Sequence, residues 1–544
     1  METIILIFVM LIAVILSSMI GRVLPWGIPT PLIQIALGFI VTSFFNEGIA
    51  LQPEVFIFLF IPPLLFLDGW RIPKDELKKD RFSIFLLAFG LVIITVLGLG
   101  YLLHWLIPSM PLMVAFALAA IVSPTDPVAV NGITRRLPMP RRIMAILEGE
   151  GLFNDASGLV AFRMAVAAVM TGTFSLVDAA KSFVWVVFAG ILMGIIVTQV
   201  LSTAYRYFSR FFGSDTGADI LLSLLMPFAA YALAEHVGGS GILAAVTAGL
   251  TMGHLELSGR VSTLTRMRRT SMWDTIQFTL NGMIFVLLGE QLPNIFTGAV
   301  KIVEQTGHHN PWWLVIYAIV IMLALVLLRF LWITVAVSSS KLLRPNFFAI
   351  DNTIRWVHIW ILSFAGARGA LSLAGVMTLP LVLPDNSAFP ARDLAIFLAA
   401  TVIIATLVAA SIALPLLLSK MPRSTALHSR HGEQRKTALS FALHQAEKEL
   451  DRYIQSVDTT NLPTDIDLYE LKEQLLNDFK QTFISSSDPE EPGHQLYLEK
   501  NKMRLAIIST ARQSIYSLAR HRKISDELAR QLVRQLDFDE YRFK

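Results

Sequence analysis

ALAAIVSPTDPVAVNG, residues 117–132, is a bilayer-crossing stretch except at its middle, where Pro124 and Pro127 bracket Thr125 and Asp126. Proline removes a backbone donor and clashes with the preceding turn, so a helix holding both unwinds there. A charge at that depth costs about 3 kcal/mol on insertion scales, so Asp126 must face an ion, water or another charge. A second stretch has the same character: FAGARGALSLAG, residues 364–375, places Gly366 and Gly369 around Arg368. Irregular backbone at membrane depth is tolerated only where protein or a water-filled cavity satisfies it. Both stretches are therefore expected to be broken helices that open onto a site.

The rest of the chain supplies their setting. Its 544 residues are 54% hydrophobic and only 16% charged, the composition of a polytopic all-α membrane protein. There is no cysteine, hence neither a disulfide framework nor a thiolate metal site. The N-terminal METIILIFVMLIAVILSS carries Glu2, with no basic region ahead of the apolar run and no small-residue cleavage site after it, so it is expected to remain as a first helix. Hydropathy gives thirteen spans, near 3–20, 31–46, 54–68, 83–107, 112–134, 143–171, 182–204, 217–236, 239–253, 271–290, 312–337, 357–379 and 394–420.

Orientation follows from the basic residues. With the N-terminus outside, the expected inner loops hold nineteen Lys and Arg, among them Arg71, Lys74, Lys78, Lys79, Arg81, Arg135, Arg136, Arg260, Arg269 and Arg344, against three (Lys181, Lys301, Arg392) outside. That bias orients the chain and supports an odd number of spans. Beyond about residue 420 the composition turns charged, dividing a membrane domain (1–420) from a cytoplasmic helical tail (421–544). In the tail Leu439, Ala442, Leu443, Ala446, Leu450 and Tyr453, then Leu471, Leu475 and Phe479, then Leu528, Leu532 and Leu536, recur at helical spacing, with breaks at 461–465 and 485–493. Its acidic and basic residues balance, which gives no support to a nucleic-acid role.

Taking spans 1–6 and 8–13 as halves, each broken helix is the fifth of its half. The offset of seven spans is odd, so the halves are expected to be inverted repeats. Paired broken helices in inverted halves mark the binding site of a secondary transporter. Asp126, Asp155 and Arg368 all fall near mid-span. Half-helix ends face the gaps, and the first reading of Asp126 and Arg368 is compensation of those ends.

The sixth span carries GEGLFNDASG, residues 149–158. Glu150 and Asn154 lie one turn apart on one face, while Asp155 is rotated by about 100°. Arg368 is the expected buried partner of Glu150. Arg163 lies about 12 Å along the helix from Asp155, which leaves that aspartate without a cation. A mid-membrane carboxylate of this kind takes up a proton or an alkali cation in competition, with Asn154, Thr125 and an unwound carbonyl as further oxygen donors.

SPTDPVAV, GEGLFNDASGLV and FAGARGAL, with RVLPWGIPTPLIQIALGFI and FIPPLLFLDGW, resemble the sodium/proton exchanger branch of the monovalent cation:proton antiporters in its bacterial plasma-membrane form. The resemblance spans essentially the whole membrane region. It implies Na+/H+ exchange at the inner membrane with no cofactor, a homodimer, elevator-like alternating access, and Asp155 as the Na+ and H+ site. The Asn154–Asp155 pair matches the electroneutral members, Glu150 and Arg368 the buried ion pair, and Thr125 and Asp126 the unwound crossing. Where many relatives read GES this chain reads GEG, so a hydroxyl is missing at Gly151 and the preference among Na+, Li+ and K+ is open. Asp68, ending PPLLFLD, matches a family carboxylate and is read as a funnel charge or a cap.

Three rivals share parts of this pattern. A K+/H+ antiporter would use the same site with a wider cavity. A cation channel would not need paired broken helices. A hydrolase built on Ser157 lacks a base placed by the sequence and any H-E-x-x-H motif.

Overall fold

The computed structural model describes residues 2–23, 29–44, 53–72, 84–134, 139, 141–172, 176–213, 215–256, 263–305, 312–343, 352–420, 440–452, 454–455, 468–484, 494–521, 528, 532–533, 535–536 and 540. Lys74, Lys78, Lys79, Arg81, Arg135, Arg136, Arg260 and Arg344, and the expected tail breaks at 461–465 and 485–493, lie outside the described residues. What is described is helical, apart from turns, caps and one isolated bridge between Val382 and Ala388.

In chain order the helices are α1 (Glu2–Val23), α2 (Thr30–Phe44), α3 (Pro53–Arg71), α4 (Leu91–Leu106, entered through a π-helical turn at Leu86–Gly90), α5 (Leu112–Val122), α6 (Pro127–Thr134), α7 (Arg141–Thr171) and α8 (Leu176–Phe212). Then follow α9 (Thr216–His236), α10 (Gly241–Glu256), α11 (Thr263–Gln305), α12 (Trp312–Leu343), α13 (Asn352–Phe364), α14 (Ala370–Met377) and α15 (Arg392–Leu418). Each stretch read as a span overlaps one of these elements, the fifth and twelfth the pairs α5–α6 and α13–α14. Among the described residues, six helices are long and apolar enough to cross a membrane. Helices α8 and α11, of 37 and 43 residues, run well past their apolar windows. Hydropathy finds the apolar part of a helix and not its end, because polar turns continue the same backbone hydrogen bonding.

Two bundles make up the first compact unit, Met1–Met421. One holds α1–α3 with α8–α11, the other α4–α7 with α12–α15. The first is built on two backbone-to-backbone crossings. A Cβ on Gly38 of α2 would strike the Val286 carbonyl, and one on Gly289 of α11 the Ile35 carbonyl. Gly69 of α3 and Gly249 of α10 meet the carbonyls of Val246 and Phe66 in the same way. In lipid, where tails are as apolar as leucine, such close packing is what drives helices together. The end of this bundle is tied by Arg269. Only 1% exposed, it is an internal cation rather than a loop charge, bonded to Asp219 at 2.8 Å and Glu256 at 3.1 Å.

The second unit, Pro422–Lys544, is helical at 440–452, in α16 (Leu468–Ile484) and in α17 (His494–Arg520). Lys472 bonds Asp451 at 2.6 Å, and this hydrogen bond holds its ammonium above the usual lysine range. Of the apolar stripe expected along α16, Leu471 and Leu475 are exposed.

Candidate functional site

The fifth span breaks where its prolines stand. Helix α5 ends at Val122, residues 123–126 leave the helix, and α6 restarts with Pro127, a first helical position where the missing N–H costs nothing. Asp126 caps the restart, its Oδ1 accepting from Ala129 N at 3.2 Å. In the twelfth span α13 gives way after Phe364, and the chain stays out of helix until α14 begins at Ala370.

The two breaks cross in contact. Asp126 N–H donates to the Ala367 carbonyl at 2.8 Å, and a Cβ on Gly369 would overlap the Asp126 carboxylate. Arg368, 2% exposed, donates from Nε to the carbonyl of Val122 at 2.8 Å and from Nη1 to that of Gly366. Val122 is the last residue of α5, so the guanidinium satisfies an acceptor freed by the interruption.

That engagement overturns the pairing expected of Glu150. Its partner is Arg329 of α12, which reaches both carboxylate oxygens in a fork, Nη2 to Oε2 at 2.7 Å. Arg329 Nε also donates to the Leu362 carbonyl at 2.7 Å. Both residues are at most 1% exposed. Arg368 is committed to carbonyls, so the charge balance of Glu150 comes from another helix. The clue was present: Arg329 is the single charged residue between 312 and 340, as anomalous at its depth as Asp155.

Asn154 belongs to this buried network. Its Nδ2 donates to Thr125 Oγ1 at 3.0 Å and to Glu150 Oε1 at 3.5 Å, and Thr125 Oγ1 donates to Glu150 Oε1 at 3.3 Å. The amide thereby holds the broken segment against α7. Gly151 serves the same contact, since a Cβ there would lie 2.8 Å from Pro127 Cδ and 3.1 Å from the Thr125 carbonyl. Two turns on, a Cβ on Gly158 would lie 2.5 Å from Pro124 Cγ. The glycine face of GEGLFNDASG is shaped to the two prolines.

Asp155 faces elsewhere. Half-buried, it forms no hydrogen bond or ion pair with any described residue. It opens into a cavity of about 50 Å³ between the bundles. From the second bundle Thr125, Asp126, Asp155 and Ser372 line this cavity, and from the first Asp68, Gln277 and Asn281, with Ile61, Leu65 and Ile284 among the apolar wall. Three carboxylates share the space and no lysine or arginine lines it, so it favours cations and protons. They do not form a resident metal centre, since no group of three His, Cys, Asp or Glu among the described residues is arranged for one. Arg163, the nearest cation along α7, is committed to Glu235 at 3.0 and 3.2 Å.

Of the residues singled out by sequence, Asp155, Thr125, Asp126, Pro124 and Gly369 line the cavity, whereas Asn154, Glu150, Arg368, Pro127 and Gly366 do not. Gln277, Asn281 and Ser372 join them without having been marked by the sequence pattern. The signal for the first two was two amides spaced by four residues within an apolar span. Ser157, far from being a nucleophile, donates to the Ala88 and Asn154 carbonyls at 2.9 and 3.1 Å and braces the π-helical turn.

Comparison with known proteins agrees with this architecture. Residues 6–420 match the family model described as "Sodium/hydrogen exchanger, transmembrane". A protein of Escherichia coli (strain K12) named "Uncharacterized Na(+)/H(+) exchanger YjcE" is 39% identical over 99% of this chain and 98% of its own length. The "Sodium, potassium, lithium and rubidium/H(+) antiporter" of Bacillus pumilus (strain SAFR-032) is 39% identical over 98% of this chain and 77% of its own. The solved structure of the sodium proton antiporter MjNhaP1 from Methanocaldococcus jannaschii at pH 8 superposes with a TM-score of 0.57 at 18% identity, covering 77% of this chain and 97% of that one. The chain belongs to the sodium/hydrogen exchanger family, membrane proteins that are secondary transporters rather than enzymes and need no cofactor.

Proposed function

We propose that the protein exchanges Na+, and Li+ with it, for H+ across the bacterial plasma membrane, one for one, with Asp155 binding either ion in turn. The observation that carries this reading is the isolation of Asp155: an ionisable group at membrane depth, with no hydrogen-bond or ion-pair partner among the described residues, on a cavity bounded by two bundles. Glu150 is neutralised by Arg329, and Asp126 is engaged at the crossing. One carboxylate exchanging one monovalent ion for another moves no net charge per cycle.

Alternating access follows if the second bundle slides against the first, carrying Asp155 along the wall of α3 and α11. Rigid-body displacement of one packed unit past another is how binding sites at such boundaries change sides. The crossings α2–α11 and α3–α10 support inverted halves of thirteen spans. Pairing the second span with the ninth and the third with the tenth exchanges one crossing for the other. We infer a homodimer with the N-terminus outside and the tail in the cytoplasm, where the tail regulates exchange or stabilises the dimer.

A K+/H+ antiporter is the second reading. It is favoured by the names of the Bacillus relatives, which include potassium and rubidium, and by the missing hydroxyl at Gly151. A channel is disfavoured by the crossing of two broken helices.

The test is proton flux in proteoliposomes on addition of Na+, Li+ or K+, with the membrane potential clamped or free and Asp155→Asn alongside. Cation-driven proton movement that ignores potential, vanishes in the variant and is bell-shaped in pH supports the proposal. Flux that survives the substitution or tracks potential like a conductance overturns it.

A further inference from the structure

Beside the carboxylates of Asp155 and Asp68, two neutral side chains on the cavity wall have no hydrogen-bond partner among the described residues, and they come from opposite bundles. Asn281 comes from α11 of the first bundle and Ser372 from the opening turn of α14 in the second. Three other polar residues of the lining are engaged. Thr125 Oγ1 is bonded to Glu150 and Asn154, the Gln277 oxygen accepts from Arg71 at 2.9 Å, and Asp126 caps Ala129. Asn281 and Ser372 hydrogen-bond no described residue, although Ser372 is only 2% exposed. Polar groups left open at membrane depth are satisfied by water or by an ion.

An alkali cation at Asp155 must regain the oxygens it sheds on leaving water, and the number and strength of the replacements decide which ion is preferred. Few neutral donors are at hand. Gly151 cannot carry a hydroxyl without displacing Pro127. The Asn154 oxygen, though unpartnered, is buried away from the cavity lining.

We infer that the Asn281 side-chain oxygen and the Ser372 hydroxyl are the neutral ligands that complete the cation's shell with Asp155, and that they set the preference among Na+, Li+ and K+. The inference rests on the reading of Asp155 as the carrier. A proton needs only the carboxylate, so the two residues act on the cation half of the cycle alone. Asn281 also belongs to the bundle opposite Asp155, so its contact is lost when the walls move apart, which lets the ion leave.

The experiment uses the full chain in proteoliposomes, with apparent KM and maximal rate measured for Na+, Li+ and K+ in Asn281→Ala, Ser372→Ala, Ser372→Thr and Asp155→Asn. Each alanine is expected to raise the cation KM about tenfold, as for loss of one ligating group, to change the Na+/K+ ratio, and to leave maximal rate and proton dependence near wild type. Ser372→Thr keeps the hydroxyl and should keep the KM. For any variant without transport, cation-induced thermal stabilisation of the purified protein reports the same affinity. An inactive Asp155→Asn beside alanine variants with unchanged KM, ratio and stabilisation overturns this inference and leaves the carrier standing. An active Asp155→Asn removes both.

Discussion

Glu150 and Arg329 meet as a two-pronged ion pair across 179 residues of sequence, with both side chains sealed from solvent. Arg368, which stands nearby with its own donors on the Val122 and Gly366 carbonyls, is thereby a backbone brace rather than a counter-ion. The two arginines divide the labour of the crossing: one neutralises α7, the other terminates α5.

Removing Arg329 strands a buried carboxylate. Arg329→Met is expected to lower stability by about 3–5 kcal/mol, the range for breaking one side of a buried pair. Glu150→Gln combined with Arg329→Gln should recover part of it. Thermal melting of the purified single and double variants decides this; a stable Arg329→Met would mean that the fork contributes little.

Asp155→Asn should behave in the opposite way. The carboxylate has no hydrogen-bond or ion-pair partner among the described residues, so the variant's melting temperature should match or exceed wild type while cation-driven proton flux is lost. A large drop in melting temperature would reveal a structural role instead.

Restoring the missing hydroxyl with Gly151→Ser is expected to impair transport. A Cβ at 2.8 Å from Pro127 and 3.1 Å from the Thr125 carbonyl pushes the broken segment off α7, at a cost of about 1–3 kcal/mol for overpacking. Transport assays with tighter cation binding at normal stability would contradict this.

Arg163 and Glu235 make a pair of similar distance but with side chains 43% and 33% exposed. Arg163→Ala should therefore shift stability by no more than about 1 kcal/mol, measured by the same melting assay. The contrast with Arg329 separates burial from bond length as the source of the effect.

In the loop between α14 and α15, the hydroxyl and backbone N–H of Ser387 bond Asp385 at 2.6 and 3.0 Å and hold its carboxyl below the usual range. A depressed folded-state value means that this contribution is present above the ordinary carboxylate range and fades as pH falls through the lowered one. Ser387→Ala should move the Asp385 titration up, readable by carboxyl NMR; an unchanged midpoint would remove the hydrogen bonds as its cause.

Depth along the membrane is what the sequence by itself determined. Each residue advances a helix by about 1.5 Å, so hydropathy and spacing placed Pro124, Asp126, Asp155 and Arg368 near mid-span and marked where both helices unwind. Depth does not specify which neighbouring helix a residue faces. Depth alone therefore pairs Glu150 with Arg368, whereas Arg329, equally deep on α12, reaches it first, and depth alone makes Asn154 an ion ligand, whereas its amide turns inward to Thr125. Asn281 and Ser372 do not stand out in the sequence for the same reason: an amide or hydroxyl in an apolar helix carries no signal until tertiary packing brings two of them, from different bundles, to one cavity. The freed carbonyls of Val122 and Gly366 likewise exist only once the breaks form, and those carbonyls rather than a carboxylate claimed Arg368.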